Sequence, residues 1–240
     1  MSWILVTGAT RGLGLAIAKQ LISEKYNVIA LGRQMTTDLE SAINGSSGLL
    51  EFVEFDLSNT SAIHGFVTEL CKSHGVPYGL VNNAAIGLDG VLGTQHETDI
   101  EQLISVNLTA PIILTKYICR QMMIKRTGRI VNISSIVAET GYNGLSVYAA
   151  TKAGLIGFTK SLSRELGKVG ITVNTVLPGF MSTDMTFELD KSKLASIIRR
   201  SPLNRLATLE DVAAMVGFLI GKYGHSITGA SFTVDAGNTA

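Results

Sequence analysis

Two cysteines, four prolines and one tryptophan are spread over 240 residues, and charged side chains make up only 16% of the chain. Cys71 and Cys119 lie far apart, with no Cys-x-x-Cys spacing and no Cys/His cluster, so neither a disulfide framework nor a zinc site is signalled. His64, His74, His96 and His225 are equally scattered, and no metal is expected. An excess of one charge is missing too, since 20 Lys plus Arg face 19 Asp plus Glu. That removes the electrostatic footprint of a nucleic-acid binder or of a protein that docks on anionic membranes, and points to a small, roughly neutral partner. No apolar run approaches membrane-spanning length, and the opening Met-Ser-Trp-Ile-Leu-Val-Thr-Gly runs into a strand without a basic stretch before it. The expectation is a cytoplasmic protein that neither enters nor crosses a membrane.

What is present is apolar. Hydrophobic residues make up 46% of the chain, enough for a large core and for further surface covered by self-association, so a homo-oligomer is expected. No proline-rich, serine-rich or charged stretch divides the sequence, which reads as a single domain over residues 1–240. Short aliphatic and β-branched runs recur at Trp3 to Val6, Asn27 to Leu31, Leu50 to Phe55, Tyr78 to Val81, Arg129 to Ile133, Ile171 to Val176 and Ser231 to Val234. Longer helical patterns separate them. Such near-continuous apolar strands suit an α/β fold: a doubly wound, seven-stranded parallel sheet with helices on both faces. Leu13, Ile17 and Leu21 repeat every four residues in the first helix, whereas the pattern from Ala149 to Leu166 is denser and predicts a helix buried on two sides. The polar, irregular stretch at about 180–205 follows the sixth strand, where a substrate lid would sit.

Directly after the first strand comes Thr7-Gly8-Ala9-Thr10-Arg11-Gly12-Leu13-Gly14, opening into a helix. A phosphate needs backbone N–H groups at close range and the positive end of a helix dipole, and Gly8, Gly12 and Gly14 let the chain approach without a Cβ in the way. An NAD-binding unit would usually place an acidic residue at the end of the second strand; here the chain reads Leu31-Gly32-Arg33-Gln34. Arg33, with Arg11 inside the glycine loop, favours the 2′-phosphate of NADP(H), because a guanidinium matches a phosphate bidentately.

The ordered set Thr7-Gly-x-x-x-Gly-x-Gly14, Asn82-Asn83-Ala84-Ala85 and Tyr148-x-x-x-Lys152 resembles the short-chain dehydrogenase/reductase family over essentially the whole chain. Within it, the chain is most similar to the 3-oxoacyl-[acyl-carrier-protein] reductases, through Tyr148-Ala-Ala-Thr-Lys152-Ala-Gly-Leu-Ile-Gly-Phe, Pro178-Gly179-Phe180 leading to Thr183-Asp184-Met185, and Ile227-Thr228-Gly229. The resemblance implies a Rossmann fold with Thr10, Leu13 and Leu57 against the cofactor and Asp56 on the adenine amino group. Asn83 and Ala84 would line the cleft, and Pro178, Gly179, Met181 and Thr183 would meet the nicotinamide end. Ala85 departs from the usual glycine and adds one methyl group.

Reducing a ketone requires a hydride donor on one face and an acid that protonates the oxygen as charge develops. Tyr148 is the acid expected here, and Lys152, one helical turn on, shares its face and should favour the phenolate electrostatically. Ser135 matches the family's catalytic serine and would help stabilise the substrate oxygen, with Ser134 as the less favoured neighbour, because alternation lets only one of the two face the cleft. Asn107 lies midway along a helical pattern from about Asp99 to Lys125, and its family counterpart holds a water that relays protons to the lysine. Pro111 cannot donate the helix bond that would return to the carbonyl of Asn107, so that oxygen is expected to be freed for the relay water.

The leading substrate is a 3-oxoacyl thioester on acyl carrier protein or coenzyme A, including intermediates of polyketide or polyene pathways, against a free ketone, sugar or cyclic alcohol and against a non-catalytic dinucleotide sensor. Arg126 falls where the carrier-protein reductases place a docking residue; their second basic position is occupied by Val169, with Lys168 beside it. The helices at Ala149 to Leu166 and Leu209 to Ile220 offer more apolar surface than one sheet needs, and family members build tetramers with them, so a homotetramer is expected.

Overall fold

The computed structural model describes residues 2–181 and 191–240, the side chains of residues 191–194 excepted. Seven strands form one sheet among the described residues: β1 (Trp3–Thr7), β2 (Asn27–Gly32), β3 (Leu50–Glu54), β4 (Gly79–Asn82), β5 (Gly128–Ile133), β6 (Ile171–Pro178) and β7 (Ser231–Val234). All six pairings are parallel, in the order β3-β2-β1-β4-β5-β6-β7. The expected doubly wound α/β sheet is therefore the observed one, and each expected strand differs from its observed counterpart by no more than a residue or two at either end.

Alternation along the strands builds two cores. Ile4, Val6, Val28, Ala30 and Val131 point to a layer made by α1 (Gly12–Ser23), α2 (Thr37–Gly45) and α9 (Leu209–Ile220), which buries Ile17, Leu21, Leu39, Val212 and Val216. Trp3, Leu5, Ile29, Leu31 and Ile130 point the other way, against α3 (Ile63–His74), α5 (Ala110–Lys125) and α7 (Ser146–Leu166). Side chains of period two facing both ways require a helix layer on each side of the sheet.

Burial of the central strands includes polar groups. Asn82 on β4 donates to Thr115 Oγ1 at 2.9 Å and to Asn132 Oδ1 at 2.8 Å, and Asn132 donates to Thr159 Oγ1 at 2.8 Å, which in turn accepts from Thr175 at 2.7 Å. This chain, which leaves only the buried Asn82 Oδ1 without a partner, staples β4, β5 and β6 to α5 and α7 just beneath the strand ends. Because the chain starts in the middle of the sheet and reverses direction between β1 and β4, a crevice opens at the carboxyl ends of those strands.

The helix expected from Asp99 to Lys125 is not uniform. It runs as α4 (Glu97–Ile104), a π-helical turn at Ser105–Thr109, and α5, with Ala110 N donating to Ser105 O five residues back. Pro111 supplies the reason: its ring would collide with the carbonyl of residue 107 in a regular helix, and a widened turn relieves the crowding. Contrary to the expectation from hydropathy, the stretch Glu97–Lys125 is long and apolar enough to cross a membrane, with mean hydropathy 1.2 over its most apolar window. Its inner face, including Leu103, Leu114, Ile118 and Met122, is fully buried in the protein core, so it serves as a core helix here. Of the stretch expected to form a lid, residues 182–190 lie outside the described residues, and α8 (Lys191–Arg200) occupies part of the remainder.

Candidate active site

The glycine loop is held open by contacts that leave no space for side chains. Gly8 has φ +63°, and a Cβ there would lie 2.9 Å from the Cα of Ala84; at Gly14 a Cβ would run into the carbonyl of Gly8. Thr7 is the hub of this corner. Its Oγ1 accepts from the N–H groups of Asn83 and Ala84, both at 2.9 Å, while Asn83 Nδ2 donates back to Thr7 O and Gly8 O. Thr36, the N-cap of α2, donates to Thr10 O at 2.6 Å and holds the loop from the other side. The result is a backbone cradle at the N-terminus of α1, the geometry a pyrophosphate requires.

Every residue singled out for cofactor or substrate lines one cleft of about 490 Å³, apart from Asn107, which lies behind it, and Thr183, which lies outside the described residues. Arg11 and Arg33 line this cleft with Asp56 and Leu57; the carboxylate of Asp56 also accepts from Ser58 N. Ala85 takes its place in the wall.

In the same cleft, Tyr148 is hydrogen-bonded to the side chain of Ser135. Ser135 Oγ also accepts from Val137 N at 3.2 Å, while Ser134 is turned away and buried, donating to Lys152 O at 2.8 Å. Lys152 is 3% exposed; its Nζ donates to Ile133 O at 2.9 Å and stands 5.5 Å from the centre of the Tyr148 ring. Both ends of Lys152 thus fasten α7 to the end of β5.

The electrostatics differ from expectation. Burial pushes the Tyr148 phenol up to about 12, against a lowering by the Ser135 hydrogen bond and with a further push from the Asp89 carboxylate. Burial also lowers Lys152 to about 8. The four-residue spacing suggests a phenol lowered by the ammonium; burial sets the direction of both shifts instead, because desolvation penalises each charged form. The resting phenol stays protonated, which is the state a proton donor needs.

Asn107 is buried in the π-helical turn, and its amide grips the backbone of Ile86, accepting from the N–H at 2.8 Å and donating to the carbonyl at 2.9 Å. Ile86 lines the cleft, so Asn107 shapes the wall from behind through its side chain, leaving only its main chain for a relay.

A profile of the short chain dehydrogenases matches residues 2–194. The chain belongs to that family. Its relatives include the 3-oxoacyl-[acyl-carrier-protein] reductase of Escherichia coli (strain K12), 39% identical over 97% of this chain and 95% of that protein. The enzyme of the same name from Haemophilus influenzae is 38% identical over 97% and 96%, and that of Pseudomonas aeruginosa 36% identical over 97% and 95%. As a short-chain dehydrogenase the protein is an oxidoreductase acting between CH–OH and C=O groups with a nicotinamide cofactor, and the resemblance to 3-oxoacyl-[acyl-carrier-protein] reductases noted in the sequence holds. The glycine cradle fits such a dinucleotide: Gly8, Gly12 and Gly14 all line the cleft at the N-terminus of α1, with no side chain of their own to cover the backbone N–H groups there.

Several residues of this dehydrogenase's cleft escape sequence reasoning. Asp89, Gln102, Tyr142 and Leu145 reach the cleft from separate loops and from α4, and the part Thr7 plays as a hub beneath it is not visible from its place at the head of the glycine motif. Tyr142 and Phe180 meet there, with ring centres 5.6 Å apart at 60°.

Proposed function

We propose that the protein reduces a 3-oxoacyl thioester, carried on acyl carrier protein or coenzyme A, to the 3-hydroxyacyl thioester with NADPH. The observation that carries the reading is the Tyr148–Ser135 contact beside buried Lys152, at the far end of a dinucleotide cradle, in a chain whose relatives bear that enzyme's name.

When bound, the cofactor supplies the hydride. Gly8, Gly12 and Gly14 would hold its pyrophosphate, Arg11 and Arg33 its 2′-phosphate and Asp56 its adenine, with Pro178, Gly179, Met181 and Thr183 at the nicotinamide end. Tyr148 gives its phenolic proton to the carbonyl oxygen as charge develops there, and Ser135 fixes that oxygen against the phenol. Lys152, close to the Tyr148 ring, offsets the phenolate as the proton leaves and passes on the replacement proton. The main-chain oxygen of Asn107 would hold the water that supplies it, in a helix already widened at Ser105–Thr109.

Cofactor choice rests on Arg33, exposed at the end of β2 in the same cleft as Arg11. A charge-assisted bond to a phosphate is worth about 10- to 100-fold in affinity. Arg33→Asp should lower the ratio of kcat/KM for NADPH over NADH by that factor; an unchanged ratio would remove Arg33 from the 2′-phosphate site.

The carrier is addressed by charge. Arg126 caps α5 in a left-handed conformation, and its guanidinium donates to Lys168 O at 3.3 Å, so the two basic residues are neighbours although Val169 takes the expected second position. Arg126→Glu should cut kcat/KM about tenfold for the carrier-linked substrate, as for a charge at an interface rim, and spare an N-acetylcysteamine thioester. Equal losses on both substrates would argue for a structural role instead. We read the protein as a cytoplasmic homotetramer, in which exposed Phe218 on α9 and Ile124 on α5 would be covered.

A further inference from the structure

We propose that Tyr142 and Phe180 form an aromatic clamp at the acyl end of the cleft, selecting 3-oxoacyl groups that carry a flat aryl or conjugated segment over saturated groups of equal size. The inference rests on the reading of the protein as a 3-oxoacyl thioester reductase and narrows its substrate class.

The two rings come from different loops, and each loop is tied to the sheet or to a neighbouring wall. Tyr142 stands in the turn between α6 (Val137–Thr140) and α7, where Leu145 N donates to Tyr142 O at 3.1 Å and Gly90 N donates to Gly144 O at 2.9 Å. Phe180 follows β6 directly, behind Gly179, whose N–H donates to Val234 O at 2.9 Å, and Pro178, whose carbonyl accepts from Ile136 N at 3.1 Å. Such short, anchored tethers hold the rings where they are. Both line the cleft that Tyr148 and Ser135 line, so whatever lies against them is attached to the reacting carbonyl or close to it.

Their geometry leaves room for a third ring. At 60° and 5.6 Å the pair is tilted, each ring keeping a face free of the other, and Tyr142 is 40% exposed. A planar segment entering the cleft can complete the edge-to-face set, gaining the quadrupole interaction in addition to buried area. A saturated chain gains area alone. The aliphatic remainder of the wall, Ile86, Val106, Val137 and Leu145, accepts either without preference.

The test uses NADPH and the N-acetylcysteamine thioesters of 3-oxo-5-phenylpentanoate and 3-oxo-5-cyclohexylpentanoate, in which the ring is insulated from the ketone so that intrinsic reactivity is matched, with the 3-oxobutanoyl thioester as reference. The native protein should favour phenyl over cyclohexyl about three- to tenfold in kcat/KM. Tyr142→Leu should bring that ratio close to one, and Tyr142→Phe should retain it. Because the ratio is internal to each variant, a general loss of activity does not move it. Equal kcat/KM for the two thioesters in the native protein, or a preference that survives Tyr142→Leu, overturns the clamp while leaving the reductase reading intact. No turnover of the 3-oxobutanoyl thioester overturns that reading, and the clamp with it.

Discussion

Tyr148→Phe should lower kcat for NADPH-dependent reduction of a short 3-oxoacyl thioester by about 10²- to 10⁴-fold, while the variant still folds and still binds NADPH. The substitution removes one oxygen from a ring whose packing is otherwise kept. What is lost is the acid itself, together with the hydrogen bond to Ser135 that aligns it. Since burial holds the phenol near 12, the native residue is protonated throughout the neutral range and needs no prior proton uptake before reduction. The proton moves as the carbonyl oxygen becomes charged, so kcat and kcat/KM should fall together, as expected for an interaction made only in the transition state. A variant keeping more than about a tenth of native kcat would show that the acid is another group or a water molecule, because that loss is smaller than general acid catalysis supplies.

Lys152→Met should likewise disable turnover, and it should do so while making the protein more stable. The lysine is fully enclosed, and burial lowers it from 10.5 to about 8. A group whose folded pKa lies below its unfolded value makes the unfolded chain the better proton binder, so stability rises with pH between about 8 and 10.5 and carries the full penalty below about 8. That penalty is on the order of 3 kcal/mol before the lost bond to Ile133 O, worth about 1 kcal/mol, is subtracted. Methionine fills similar space without the charge. The net gain of roughly 2 kcal/mol should raise Tm by about 4–8 °C at neutral pH, an advantage that shrinks as the native lysine deprotonates on the way to pH 10. Tyr148 shifts the opposite way, from 10.0 to about 12, so its contribution is lost only above pH 10 and does not mask the effect. In the native enzyme, kcat/KM for reduction should fall above pH 8 with the lysine, not near 10 with a free phenol. A fall in Tm on substitution would show that the ammonium is structurally required.

The sheet was legible because its strands are apolar on both faces and separated by helical periods, and nothing else satisfies Trp3, Ile4, Leu5 and Val6 pointing alternately into two layers. Gly8 and Gly14 were legible from their place in a glycine-rich turn between a strand and a helix, although the atoms that exclude a side chain there include Ala84 and Asn83 from far along the chain. The pair Tyr148 and Lys152 sits one turn apart on a single helix, so helical spacing brings the two together without any knowledge of the rest of the chain. Proximity, however, did not give the sign of the shift. That depends on how much water the surrounding walls remove, and those walls come from Ile133, Asp89 and the turn before α7, which are distant in sequence. Pro111 announced a disturbance near Asn107, but the helix answered by widening into a π-helical turn, and the Asn107 amide was taken up by Ile86, twenty-one residues away. Thr7 was legible only as the head of the glycine motif, because its role as a hub depends on the N–H groups of Asn83 and Ala84, which the fold brings to it from just beyond β4. Tyr142 escaped because its partner, Phe180, belongs to the loop after β6, distant in sequence, and only the fold brings the two rings together.

The most direct test follows both substrates at once: the purified protein, NADPH and a 3-oxobutanoyl thioester on acyl carrier protein, with NADPH consumption and product measured in the same reaction. The account predicts one 3-hydroxybutanoyl thioester formed for each NADPH oxidised, and the loss of both signals in Tyr148→Phe. NADPH that remains unoxidised, or that is consumed equally fast in Tyr148→Phe, would contradict it.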